Sequence, residues 1–186
     1  MTAPYATPYY STQGVQLFAL NANTSPSAVI TLAASMGLTG IGGDATDIEL
    51  SNLDSPGYKE FAKGLIDPGS PGGDIVYNFQ NAADQWLEVM LAKGQNATTQ
   101  WFIAAADAAS TVIPTITGTI ASGNQILDPP KTSSSPKTWK RSGFYFYAYV
   151  KSFSKDVAVN SFIRAKLKLR ISGAITPIVL GESATF

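Results

Sequence analysis

Asp44, Asp47 and Glu49 stand close enough along the chain to offer oxygen ligands to a hard cation such as calcium, yet the twelve-residue loop pattern of an EF-hand is absent around them. Carboxylates are frequent enough to suggest the acid pair of a glycosidase, although spacing in sequence does not fix the separation of two carboxyl groups in space. Gly40-Ile41-Gly42-Gly43-Asp44 is rich in glycine but lacks the G-x-G-x-x-G spacing and the strand-to-helix setting of a dinucleotide site, and no Walker lysine follows any glycine turn. The chain contains no Cys and no His, which removes thiolate nucleophiles, imidazole bases, disulfides and the common zinc ligand sets. A last pattern pairs Tyr145, Tyr147 and Tyr149 with Arg164, Lys166, Lys168 and Arg170, side chains able to stack on bases and contact phosphates. No helix-turn-helix, zinc-finger or RNP signature accompanies it. A solvated strand face that blocks edge pairing, or that meets acids of a neighbouring subunit, needs fewer assumptions. The residues therefore predict no catalytic, cofactor-binding or metal-binding set.

The elements that must carry these residues are mostly strands. Phe144, Phe146, Ala148 and Val150 alternate with Tyr145, Tyr147, Tyr149 and Lys151, and Ile163, Ala165, Leu167, Leu169 and Ile171 alternate with the four cations. Two long strands joined near Ser154–Asp156 are expected to form a hairpin. Gly14–Leu20 and Ser27–Leu38 also read as strands. One segment reads as a helix: Asn81 caps Ala82–Lys93, Asp84 lies in the first turn, Gly94 closes the end, and Trp86, Leu87, Met90 and Leu91 share a face. Between Thr39 and Asp74 glycines and prolines interrupt every period, predicting long turns around short strands near Asp47–Leu50 and Ile75–Phe79. Pro4, Pro8, Tyr5, Tyr9 and Tyr10 make residues 1–13 an extended arm.

A length of 186 residues suits one domain, and charged residues make up only 14%, against roughly 25% in ordinary soluble domains. The net charge is zero, so no overall field holds nucleic acid or an anionic membrane. The charges are nevertheless segregated. Residues 1–93 hold nine acids and three bases, whereas the chain from 131 onward holds ten bases and two acids. The two parts either neutralise one another within a domain or steer the acidic part of one copy to the basic part of another. The first residues have no basic region followed by an apolar core, and no apolar run approaches the roughly 18 residues of a membrane span. No secretory address or membrane anchor is expected.

The run Asp47-Ile48-Glu49-Leu50-Ser51-Asn52-Leu53-Asp54-Ser55-Pro56-Gly57-Tyr58-Lys59-Glu60-Phe61-Ala62-Lys63-Gly64-Leu65-Ile66-Asp67 resembles the major tail tube proteins of long-tailed, non-contractile bacteriophages. The order that follows is similar too: a strand at Asp74–Phe79, the helix, a strand at Thr98–Ala104, a closing hairpin of Gly143–Phe153 and Val157–Gly173, and the ending Ile171-Ser172-Gly173-Ala174-Ile175-Thr176-Pro177. The stretch from Ala105 to Arg141 departs from the pattern, with an insertion where a compact turn is usual.

The resemblance implies a mainly β protein: a β-sandwich or barrel-like tail-tube domain over 14–177 with one flanking α-helix, long loops near 39–73 and 117–142, the arm 1–13 and a C-terminal arm 178–186. It implies a virion protein, made in the host bacterial cytoplasm, that self-assembles into stacked rings of six. Double-stranded DNA would pass through without specific binding, and other tail proteins would meet the tube ends. Tyr5, Tyr9, Asp54, Tyr58, Glu60, Arg164, Lys166, Lys168 and Arg170 are the expected subunit contacts. The cation row is expected to face outward or meet a neighbour's acids, because a ring of unmatched cations would hold phosphates. A tail-completion protein or a type VI secretion tube protein shares the implied architecture. A ligand-binding β-module and a carboxylate-dependent hydrolase are the readings from other classes.

Overall fold

In the computed structural model the residues described are 15–22, 27–32, 38–49, 61–118, 125–157 and 163–184. In chain order they form β1 (Gln16–Asn21), β2 (Ala28–Leu32), β3 (Leu38–Glu49), β4 (Phe61–Val76), α1 (Ala82–Lys93), β5 (Thr99–Ala104), β6 (Thr115–Thr117), β7 (Ile126–Asp128), β8 (Gly143–Asp156), β9 (Arg164–Ile171) and β10 (Thr176–Ile178). One antiparallel sheet runs β2-β1-β5-β8-β9-β4-β3, with β10 added to the start of β8, and β6 and β7 pair separately. The expected mainly β fold with one flanking helix is what forms.

The helix follows its local chemistry. The Asn81 side chain accepts from the Ala83 N–H at 3.0 Å, and Gly94, at φ 59°, turns its own N–H back to the carbonyls of Met90 and Leu91. These contacts satisfy groups that a helix end otherwise leaves unpaired. Trp86, Leu87 and Met90 are buried against the sheet, in one core with Leu17, Trp101, Phe146, Val150 and Leu167. The Trp101 indole donates to the Ala148 carbonyl at 3.0 Å, so the polar atom of this large side chain is not stranded in the core.

A second core lies on the opposite face of β1 and β5. Phe18, Leu20, Phe102 and Ala104 point there and meet Leu127, Trp139 and Ile178 from the insertion and from β10. β1 and β5 are consequently buried on both faces, which is why their sequences are continuous apolar runs rather than alternations. The insertion is fixed by buried polar contacts. Arg141 is wholly buried and donates to the Ala105 carbonyl at 2.7 Å, to Gln16 Oε1 at 2.6 Å and to the Val112 carbonyl at 3.2 Å. Asp107 accepts from the Ser142 N–H at 2.9 Å, and the Gln100 side chain accepts from the Leu127 N–H.

The stretch expected to be long turns is instead mostly strand: β3 and β4 together form a long bulged ladder. Register shifts fall between Thr39 and Ile41, Ile41 and Asp44, and Ala45 and Asp47. Ser70 and Pro71 lie in one of these shifts, where a missing proline N–H breaks no regular ladder bond. Gly69 shows why glycine is needed: its φ is 89°, and a Cβ there would collide with the carbonyl oxygens of Gly40 and Gly42. These glycines and prolines therefore mark bulges within strands as well as strand ends.

Candidate assembly surfaces

The β3–β4 ladder is supported unevenly. From Gly72 to Val76, β4 pairs with β9 on one side and has β3 beginning on the other, and Ile75 packs into the main core. Towards Phe61 the ladder pairs only with itself, as Asp47↔Lys63, Ile48↔Ala62 and Glu49↔Phe61. Leu65 is 90% exposed and Phe61 58%, with Ile48 and Ile66 also open to solvent. Ile66, Pro68 and Gly43 border an open apolar depression of about 470 Å³ whose other wall is Gly173, Ala174 and Ile175. Apolar side chains gathered on a projecting hairpin mark a contact surface better than scattered exposed residues do.

A different surface covers the side of β9 and β4 turned away from α1. Ala165, Leu167, Leu169 and Ile171 are buried, which leaves Arg164, Lys166, Lys168 and Arg170 on the opposite face. Arg170 Nη2 meets Asp67 Oδ2 at 3.0 Å, and Lys166 Nζ lies 3.7 Å from Asp156 Oδ2. The Gly69 N–H, followed by Arg170, holds the Asp67 carboxyl below its ordinary range. The Asp67–Arg170 pair joins the acid-rich and base-rich parts of one chain. Asp74 stands opposite Lys166 in the β4–β9 register, and Ser152 and Gly72 flank Lys168.

A third cluster fastens α1 to the β8–β9 hairpin. Glu88 accepts from both the Tyr77 hydroxyl and the Lys155 ammonium, and that ammonium lies 4.6 Å from the centre of the Tyr77 ring. Lys155 first, then Tyr77, lowers the pKa of Glu88, while Glu88 raises those of Lys155 and Tyr77. This too links the acid-rich and base-rich parts within the chain.

Of the nine expected contact residues, Tyr5, Tyr9, Asp54, Tyr58 and Glu60 lie outside the described residues, as do the arm 1–13 and the final residues 185–186. The four cations form a single row. Their acid partners Asp67 and Asp156, and the apolar hairpin residues Ile48, Phe61, Leu65 and Ile66, were not singled out as contacts by sequence reasoning. Clustered apolar residues inside a glycine-rich, acidic segment are the signal that marks the latter. The tyrosines do not make a continuous stacking platform with the cations: Tyr149 is level with Arg170, but Tyr145 packs against the second core and Tyr147 binds Gln100 Nε2 through its hydroxyl at 3.2 Å. Among the described residues no group of three or more acids is placed to hold a metal ion, and no helix is long and apolar enough to cross a membrane.

Comparison with known structures gives low identity over nearly the whole chain. The tail of an empty gene transfer agent particle, determined with C6 symmetry, matches at TM-score 0.57 and 11% identity, covering 92% of this chain and 100% of that one. The tail tube of SPP1 matches at 0.56 and 13%, covering 95% and 82%. A chain of the anti-feeding prophage baseplate, six-fold symmetrised, matches at 0.54 and 11%, covering 94% and 97%. At these identities the likeness is one of fold. No curated protein sequence matches. The model of the family described as phage tail tube, TTP, lambda-like matches residues 9–179. The chain belongs to the lambda-like phage tail tube family.

Proposed function

We propose that this chain is a structural protein of the virion tail that assembles into stacked rings of six, forming a hollow tube through which double-stranded DNA passes. The carrying observation is the outer half of the β3–β4 ladder, where Ile48, Phe61, Leu65 and Ile66 are left exposed by the described residues. A neighbouring copy is the occupant. Family membership and the C6 symmetry of a structural relative support the ring. Among the described residues β2 and β3 are the edge strands of the sheet, and such edges offer further backbone pairing. Asp54, Tyr58 and Glu60 lie in the segment joining β3 to β4, and with Tyr5 and Tyr9 they are proposed to meet adjoining subunits. Other tail proteins would meet the ends of the tube. Such a protein acts by geometry, so no catalysis and no cofactor enter the reading, and synthesis in the host bacterial cytoplasm accords with it.

The test is sedimentation and negative-stain imaging of the purified protein across a concentration series. Tubes that form as concentration rises are the expected result. A species that stays monomeric at every salt and protein concentration overturns the reading.

A further inference from the structure

Among the described residues, one stretch of the main sheet has a face that no other element covers. The side towards α1 is filled by the main core, and on the opposite side β1, β5 and the first half of β8 are covered by the insertion and β10. Among the described residues, nothing covers the second half of β8 or its neighbours β9, β4 and β3 on that side. Where β4 lies beside β9, the side chains on this face are almost all polar: Ser152 and Ser154 on β8, Thr39 on β3, Ser70 on β4, and the cation row on β9, with Val76 apolar at one end. Several of these residues line an open trough of about 570 Å³.

The charges on this face are interleaved. Lys151 joins the row of four cations, lying near enough to Asp67 to lower its pKa. Against them stand Asp67 and Asp156, both within ion-pair distance of a cation, Asp74 opposite Lys166, and Asp44 opposite Asp67. Cations and acids thus nearly balance over one continuous surface. The expectation that this row must avoid a DNA channel assumed unmatched cations, whereas two of the four, Lys166 and Arg170, meet acids of the same chain.

Resting on the tube reading above, we infer that the bare β8–β9–β4–β3 face is the channel wall, and that its in-chain ion pairs keep the cation row from holding the DNA that passes. A duplex gains affinity by releasing counterions when free Lys and Arg neutralise its phosphates. A cation already facing a carboxylate offers that gain only if its pair is broken. Beyond the spacing of neighbouring strands, alternating charges largely cancel, and salt screens the remainder within about 10 Å. The wall is wettable and polar, yet nearly without net charge.

The chain has no cysteine, so Lys168→Cys introduces a unique thiol at the centre of the face. In assembled tubes that thiol should react with a small biotin-maleimide introduced through the open ends, and the attached biotin should stay inaccessible to streptavidin-gold, which decorates outer walls. Ser152→Cys on the adjacent strand should behave identically and guards against a local effect at 168. Gold along the tube overturns the inference, as does a thiol reactive in the monomer and protected from the small reagent in the tube, which would place the face at a subunit contact. Failure of the unaltered chain to form tubes would instead sink the proposed function. Tubes of the combined Asp67→Asn and Asp156→Asn variant should also acquire salt-dependent binding of short duplex DNA, with log K falling by about 0.9 per decade of salt for each phosphate that a released cation neutralises. Binding no stronger than that of unaltered tubes would overturn the role given to the ion pairs.

Discussion

The two halves of the main sheet handle the same problem in opposite ways. Around β1 and β5 both faces are covered, by α1 on one side and by the insertion with β10 on the other. Around β9, β4 and β3 the described residues fill only the helix side, and the ladder runs past its support into a stretch bearing open apolar residues. The first arrangement completes its core within one chain. The second leaves surfaces that no described residue of the copy covers, so stability and assembly are assigned to different residues. A substitution in the first half should lower folding stability whatever the state of assembly, whereas one in the outer hairpin should spare the monomer and weaken the tube.

The largest effect on folding is expected at Arg141. Its wholly buried guanidinium holds the partly buried carbonyls of Ala105 and Val112 and the side chain of Gln16. Arg141→Ala would remove the donor from these acceptors and a cation that interacts with Asp107, at a cost of about 3–5 kcal/mol. Denaturant titration should show the midpoint falling sharply. A loss under about 1 kcal/mol would mean that the insertion is held by its apolar contacts alone.

Gly69→Ala should have the next largest effect. A side chain at φ 89° costs about 1–3 kcal/mol before the collision with Gly40 and Gly42 is included. Hydrogen exchange should locate the loosening in β3 and β4, with α1 and β5 keeping their protection. Uniform loss of protection would show that the hairpin and the closed half fold as one unit.

Leu65→Ser separates the two halves most cleanly. The side chain is almost fully exposed, so monomer stability should change by no more than about 0.5 kcal/mol. If a neighbour buries it, assembly loses about 1.5–3 kcal/mol per contact, enough to raise the concentration needed for tubes by roughly ten-fold or more. Unchanged assembly would exclude Leu65 from the subunit contact.

These regions also differed in how far their sequences revealed them. The helix was readable because Asn81, Asp84, Gly94 and the apolar spacing all agree, and β8 and β9 because one buried face forces alternation. The hairpin was not, since a glycine needed for a bulge looks the same in sequence as one needed for a turn, and only pairing across strands separates them. Arg141 carried no signal because its Gln16 partner is 125 residues away. The cation row was legible as a row. Its partners were not, because Asp67 and Arg170 come together only through the β4–β9 neighbourhood.

The smallest expected effects are pH-dependent and divide two carboxylates one turn apart on α1. Glu88 has its pKa lowered by Lys155 and Tyr77, so its contribution to stability is present above the unfolded carboxyl range and disappears as pH falls through its folded value. Asp84 is buried, and desolvation outweighs the hydrogen bonds from Asn78 and Asn81, so its folded pKa is raised. Its sign is opposite: the ionised form carries a cost at neutral pH that is relieved as the folded state takes up a proton. Glu88→Gln should therefore be less stable than the unaltered chain at neutral pH, and the gap should close on acidification below the ordinary glutamate range. Asp84→Asn keeps an oxygen to accept from the Asn78 N–H and removes the buried charge. It should be at least as stable as the unaltered chain at neutral pH, and that advantage should shrink as pH falls through the raised folded value of Asp84 towards the ordinary aspartate range. Denaturant midpoints measured from pH 7 to pH 3 for the three proteins test both signs, and a destabilised Asp84→Asn at neutral pH would show that the ionised Asp84 stabilises the start of α1 by more than its burial costs.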